Sequence, residues 1–348
     1  MKKYASIFIT FLICHIIVQD SSAQFKLSNI FGQKDKVRKN RLFEPSSSVS
    51  FGVGTSSYYG DLSPYTRFLQ STVNGMRWNL AFNFTRQISP SVGIRVGLTY
   101  ARISGDDSYM ENVKGYEAYF VRNLHFRNDI KQLSVVAQYD LVRTPRSFLR
   151  REGIIPYLFG GVAVFAHNPV AKTPIVAGST SEWVSLQPLH TEGQGLPTYD
   201  SSPYSLVSVS FPVGFGIRYK LNRNWDLGFE MSYQYALTDY LDDAGGKYAD
   251  PADLQSQAQG PLSVAMANRT LEKTAANRGI DRTQGVLNYL SSIGYPAGFD
   301  PIATQSPIVG FADRTDSRGN PKYNDAYMLT SVKVIYHIPT KIKCPVIR

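Results

Sequence analysis

An all-β fold, an eight-stranded antiparallel transmembrane β-barrel with long extracellular loops, follows from three features of the chain. It carries segments of strict apolar/polar alternation, a low mean hydropathy beside many aromatics, and connections that alternate between short and long. The clearest alternating segment, 76–85, reads Met-Arg-Trp-Asn-Leu-Ala-Phe-Asn-Phe-Thr. A strand with one face in lipid and the other in a polar lumen places apolar side chains at every second position, and about 9–11 tilted residues cross the bilayer. That assigns Met76, Trp78, Leu80, Phe82 and Phe84 to lipid, and Arg77, Asn79, Ala81, Asn83 and Thr85 to the lumen.

Composition agrees. Mean hydropathy is −0.20, while aromatics reach 13% with 22 Tyr and 19 Phe. Barrels hide their hydrophobicity in alternate positions and concentrate aromatics at both interfaces, so the average stays low. Lys2 and Lys3 precede an apolar run over 4–18 that ends in Ser21-Ser22-Ala23, the pattern of a secretory signal cleaved after Ala23. Cys14 sits inside that run without a small-residue lipobox, and only Cys344 remains after cleavage, so no internal disulfide is expected. The organisation read from the chain is a signal peptide 1–23, a basic periplasmic arm 24–46, a barrel 47–338 with a long outer loop 239–326, and a periplasmic tail 339–348.

Strands are expected at 47–57, 75–87, 92–103, 131–143, 155–166, 205–220, 225–238 and 327–338, an even number as single-chain bacterial barrels require. The first sets Val49, Phe51 and Val53 against Ser50, Gly52 and Gly54. The sixth sets Val207, Val209, Phe211, Val213, Phe215 and Ile217 against Ser208, Ser210, Gly214 and Gly216. Small inward residues suit a narrow barrel, and eight strands enclose an interior that side chains fill, which argues against an open pore. Short connections at 89–91, 144–154 and 222–224 read as periplasmic turns; long ones at 60–74, 104–130, 167–204 and 239–326 face outside. Both termini are then periplasmic. Within the longest loop, 262–290 is Ala-rich and expected to be helical, forming a cap.

The formal net charge is +10, and the basic residues crowd the expected periplasmic face. Lys34, Lys36, Arg38, Lys39 and Arg41 lie in the arm, Arg146, Arg150 and Arg151 in one turn, and Lys341 and Lys343 in the tail. Such a surface would dock an acidic protein or lipid phosphates, or stand merely solvated. Nucleic acid is disfavoured as a partner, because no nucleic-acid motif accompanies the basic residues of an exported chain.

Other constellations carry weaker chemistry. Asp239, Asp242, Asp243 and Asp250 offer hard oxygen ligands for calcium, but the spacing is not that of an EF-hand, and turn chemistry beside Gly245-Gly246 explains them better. His125, His167 and His190 fall in outer loops and read as solvated instead of as metal ligands. Inward Arg77, Arg95, Gln138, Asp140, Arg218, Glu230 and Gln234 are expected to form a buried polar network, since unpaired charge in a narrow lumen costs several kcal/mol. The Gly-x-Gly pairs at Gly52/Gly54 and Gly214/Gly216 lie within strands, without the lysine and helix of a phosphate loop. Ser181, His190, Glu192 and Asp200 have catalytic potential but no triad signature, so neither an enzyme nor a cofactor is expected.

Four motifs carry a family likeness: Tyr58-Tyr59-Gly60-Asp61-Leu62, Thr191-Glu192-Gly193-Gln194-Gly195, Phe211-Pro212-Val213-Gly214-Phe215-Gly216 and Thr238-Asp239-Tyr240-Leu241-Asp242-Asp243. With these the chain resembles the Bacteroidota outer-membrane β-barrel family that includes PorG, a component of the type IX secretion system and gliding machinery. The resemblance implies an integral outer-membrane protein, in contact with outer-membrane lipid, that couples a periplasmic ring of PorK and PorN type to the membrane. The long insertion after Asp243 departs from that family's shorter loops, and the alternative is a stand-alone surface barrel that binds a ligand or mediates adhesion through its outer loops.

Overall fold

The computed structural model describes residues 43–339 except 64, 65, 67, 112, 145, 146, 176–179, 297 and 312. The signal segment, nearly all of the basic arm and the tail from 340 onward lie outside the described residues. The strands are β1 (Ser46–Tyr59), β2 (Arg77–Gln87), β3 (Val92–Asp106), β4 (His125–Asp140), β5 (Ile154–Ala166), β6 (Pro169–Lys172), β7 (Trp183–Ser185), β8 (Val207–Lys220), β9 (Trp225–Ala236) and β10 (Ala326–Ile338). All pairings are antiparallel, and β6 and β7 form a short hairpin in the third long connection. The other eight make the wall, in the order β3-β2-β1-β10-β9-β8-β5-β4, and β3 pairs with β4 to close it. Closure satisfies every ladder internally, the condition for a sheet to cross lipid.

Cross-strand register lines up the two faces. One outward row runs Val334, Phe51, Phe82, Leu98, Leu133, Val164 across six strands, and all six side chains are exposed. Aromatics flank this apolar band at both ends. Trp78 stacks on Tyr100 at 5.3 Å where the long connections begin, and Trp225 meets Tyr336 at 4.8 Å beside the short turns. The chain is therefore an integral outer-membrane β-barrel, built with the lipid belt and interfacial girdles of that class. Inside, small residues permit close approach. A Cβ on Gly54 would lie 1.8 Å from the Thr330 carbonyl oxygen, and one on Gly214 would lie 2.2 Å from that of Met231.

Two strands are longer than the alternation suggested. β3 runs on to Asp106 and β4 begins at His125, so the pair continues beyond the lipid band as a two-stranded extension. The connections also carry α1 (Phe68–Asn74), α2 (Glu117–Arg122), α3 (Pro251–Gln255), α4 (Gly260–Ala267), α5 (Thr283–Ser292) and α6 (Pro301–Thr304). Asp250 and Asp300 cap α3 and α6 by accepting from backbone N–H groups, with Pro in the first turn of each. The expected helix over 262–290 is instead two helices, α4 and α5. The Asn268 side chain accepts from the backbone N–H and hydroxyl of Thr270, and Gly279 adopts φ +68°, so the intervening segment leaves helical geometry.

Candidate functional site

The lumen is filled by the polar network that the alternation predicts. Glu230 accepts from Arg95 Nη1 at 2.6 Å, from Lys333 Nζ at 2.6 Å and from the Tyr157 hydroxyl at 2.9 Å. Nearer the short turns, Asp140 pairs with Arg218 and accepts from Gln87 Nε2 at 3.1 Å and Gln138 Nε2 at 2.9 Å. Toward the long connections, Gln132 donates to Gln234 at 3.3 Å and accepts from the Tyr327 hydroxyl at 2.8 Å. Arg77 stands at the rim and donates to the Met76 carbonyl instead of joining the network. Cavities of about 30 and 20 Å³ remain along this path, room for one or two waters each. Among the described residues, ion pairs thus cross the lumen at two levels, around Glu230 and around Asp140.

At the short-turn end Arg151 is buried, contrary to its expected place on an exposed docking surface. Its guanidinium pairs with Asp226 at 2.6 Å and donates to the carbonyls of Phe148, Asn222 and Arg223. Asp226 also meets His337 Nε2 at 2.7 Å. Arg151 thus ties the turn between β4 and β5 to the turn between β8 and β9. Arg150 is exposed, as are Arg86, Arg143 and Arg223 at the same end. Lys34, Lys36, Arg38, Lys39, Arg41, Arg146, Lys341 and Lys343 lie outside the described residues.

At the opposite end the long connections form a packed cap. Tyr58, Ile103, Phe126, Phe165 and Tyr327 from the wall close around Leu62, Leu241 and Ala244 from the connections, an apolar plug in the barrel mouth. Above it Phe120 and Val121 of α2 pack with Val286 and Leu290 of α5 and with Ile308 and Phe311. Helices of four to ten residues do not persist alone, so this packing holds them. Buried arginines stitch the layer. Arg122 is bidentate to Asp107 at 2.8 Å and donates to the carbonyls of Arg318 and Asp61. Arg318 pairs with Glu192 and Asp243, each at 3.2 Å, and donates to the carbonyls of Ala267 and Asp243. Arg282 donates to the carbonyls of Phe120, Val121, Thr270 and Glu272.

The acidic residues serve this architecture. Asp243 accepts from Thr191 and Tyr204 as well as from Arg318, Asp242 accepts from the N–H groups of Leu62 and Ala244, and Asp250 caps α3. Among the described residues no group of three or more His, Cys, Asp or Glu is placed to hold a metal ion. The Tyr58 hydroxyl lies 2.6 Å from both Asp242 Oδ2 and Asp325 Oδ1. A phenol has one hydrogen, so one carboxylate accepts it and the other carboxyl must carry a proton of its own. The electrostatics agree: burial, reinforced by Asp61, pushes Asp242 up to about 8, and burial with Asp242 holds Asp325 well above the carboxylate range. Asp239, whose two carboxyl oxygens are buried without a hydrogen-bond partner, is pushed up to about 9 by burial and by Asp242. Burial likewise raises Glu192 to about 7 against the pull of Arg318.

Two histidines expected in solvated loops are buried in this structure. His125 opens β4 and its Nε2 accepts from the Lys172 N–H at 2.9 Å, while His167 contacts Asn128 and the Ser205 carbonyl. Burial lowers His167 to about 4 and His125 well below the usual range, so both are neutral. His190 sits apart in the left-handed region at φ 47°. Lys333 was absent from the expected lumen set, although Val332 and Val334 point outward and the same parity places Lys333 inward. Arg122, Arg282, Arg318 and Asp325 carry no local pattern that would have singled them out.

Solved outer-membrane barrels of other proteins resemble this chain distantly. The neisserial surface protein NspA matches at 10% identity and TM-score 0.35, covering 84% of this chain and 98% of its own. The attachment invasion locus protein Ail of Yersinia pestis, in complex with the heparin analogue sucrose octasulfate, matches at 10% identity and TM-score 0.31, covering 85% and 100%. The N-terminal barrel domain of Pseudomonas aeruginosa OprF matches at 9% identity and TM-score 0.29, covering 85% and 100%. No family model matches the chain, and no curated protein does.

Proposed function

We propose that this protein is a surface-display barrel, whose folded outer cap binds a ligand or mediates adhesion while the wall anchors it in the outer membrane. The observation that carries this reading is the contrast between the two ends. The lumen is blocked by paired charges, whereas the long connections are assembled into a layer with its own apolar core and buried arginines. A loop that only links strands gains nothing from such ordering, and long structured loops are commonly functional. In this reading both termini are periplasmic, which the pairing of Ser47 with Ile338 at the short-turn end of the wall supports.

A second reading has separate support. The motifs shared with the PorG-containing family and the exposed arginines at the short-turn end, Arg86, Arg143, Arg150 and Arg223, suit a barrel that couples a PorK/PorN-like ring of the type IX machinery to the membrane, with the basic arm as docking surface. One pair of deletions separates the readings, with assembly of each variant verified by heat-modifiable gel mobility. Removing 245–320 should abolish binding of whole cells to a panel of glycans and matrix proteins while leaving protein export intact. Loss of export after truncating 26–41, with cell binding unchanged, would overturn the display reading in favour of coupling.

A further inference from the structure

We propose that the outer wall of β3 and β4 holds one phosphorylated lipid of the outer leaflet, its phosphate between Arg127 and Lys131 and an acyl chain in the groove beneath. The argument begins with parity. Along β4 the outward positions read Arg127, Asp129, Lys131, Leu133, Val135, so charge gives way to hydrocarbon within one side-chain step. Across the sheet Lys131 is flanked by Tyr100 and Ala166, and the next row toward the membrane centre is Leu98, Leu133 and Val164. The cations therefore stand at the lipid headgroup level, directly above the apolar band.

Both halves of such a ligand have a recess. A cavity of about 270 Å³ opens on the outer wall, lined by Tyr100, Arg127, Asp129, Lys131, His167 and Asn168 among others. A groove of about 400 Å³ continues below it between Phe51, Leu80, Phe82, Leu98 and Leu133. Tyr100 and Lys131 line both. The hairpin of β6 and β7 forms the upper rim, with the Trp183 ring 4.2 Å from the Arg127 guanidinium and 5.5 Å from Lys172 Nζ.

Charge bookkeeping selects an anion. Asp129 is already neutralised, accepting from Arg102 at 2.6 and 2.8 Å and from the Tyr100 hydroxyl at 2.9 Å. Lys172 is committed to the Asn277 carbonyl. Arg127 and Lys131 make no hydrogen bond or salt bridge with the described residues; Arg127 acts on Asp129 only at longer range, so the described lining sets two cations beside one carboxylate that Arg102 already pairs. Cations at a headgroup boundary attract anionic lipid, and arginine matches the geometry of a phosphate.

The test uses the full chain purified in detergent and native mass spectrometry with three probes: monophosphoryl lipid A, the same lipid dephosphorylated, and inorganic phosphate. The wild type should prefer the phosphorylated over the dephosphorylated lipid by about thirtyfold, roughly fivefold per cation, and Arg127→Gln/Lys131→Gln should erase that preference. Lys131→Arg should keep it, which reads the site even if the double variant fails to assemble. Equal binding of the two lipids by the wild type, or a preference that survives the double variant, would overturn the proposal. Displacement of the lipid by inorganic phosphate at equal concentration would overturn the acyl groove and reduce the site to a bare anion contact.

Discussion

Replacing Glu230 with Gln is the most decisive perturbation of the lumen, because its carboxylate is the counter-charge that two buried cations share among the described residues. Glu230, Arg95 and Lys333 are 5, 7 and 3% exposed, so water does not rescue any of them. Glu230→Gln preserves shape and keeps an acceptor for the Tyr157 hydroxyl, but leaves Arg95 and Lys333, each 2.6 Å from the former carboxylate, as unpaired like charges. Breaking a buried pair from one side costs about 3–5 kcal/mol. Lys333→Met is the instructive partner variant. It removes the surplus cation and leaves Arg95 and Glu230 matched one to one, so it should cost less than about 1 kcal/mol, since the large penalty comes from a buried charge left without a partner and none is left here. Reversible urea unfolding of the chain in phospholipid vesicles, followed by tryptophan fluorescence and heat-modifiable mobility, measures both. Glu230→Gln within about 1 kcal/mol of wild type, or Lys333→Met at least as costly as Glu230→Gln, would refute the account of the lumen as a charge-matched network.

Three further outcomes are expected. Arg318→Ala removes the cation between Glu192 and Asp243; limited proteolysis should cut the cap at least tenfold faster while the barrel keeps its folded gel mobility, and unchanged cleavage would count against the stitching role. The cap should loosen as pH rises. Asp242 and Asp239 are raised to about 8 and 9, so the folded cap retains protons that an unfolded chain releases near pH 4, and stability from these groups is greatest at low pH and falls toward pH 9. Subtilisin cleavage, normalised to an unstructured substrate, should accelerate between pH 6 and 9.5 in wild type and less so in Asp239→Asn; a flat wild-type profile would contradict this. Finally, planar bilayers containing the protein should show no open-pore conductance, and stable channels of porin size would contradict the blocked lumen.

The wall was legible because a lipid-spanning strand writes its burial into every second residue. In β2, Trp78, Leu80, Phe82 and Phe84 are exposed and Asn79, Ala81 and Asn83 buried, as their positions imply. That signal fails beyond the lipid band. Arg127 and Asp129 in β4 point outward like Leu133, but toward headgroups and water, so the first turn of this strand reads as polar loop although it is paired with β3. Arg151 was misread for a different reason: its partner Asp226 is 75 residues away, and nothing local to the turn distinguishes a buried arginine from a solvated one. The cap is harder still. Arg122, Arg282 and Arg318 bind mainly backbone carbonyls and carboxylates brought from distant connections, and such contacts leave no periodicity.

The latch formed by Tyr58 sits on the seam of the cylinder. β1 and β10 are the first and last staves, and no ring exists until they meet across nearly the whole chain. Tyr58 lies opposite Tyr327 at the end of that seam, and its hydroxyl grips Asp325, just ahead of β10, together with Asp242, just past β9. The residues that fasten the lid are thus the ones that fasten the final joint, so zipping of the last stave and seating of the lid become a single event. A chain arrested before β10 would be left with two raw edges and an untethered lid at once.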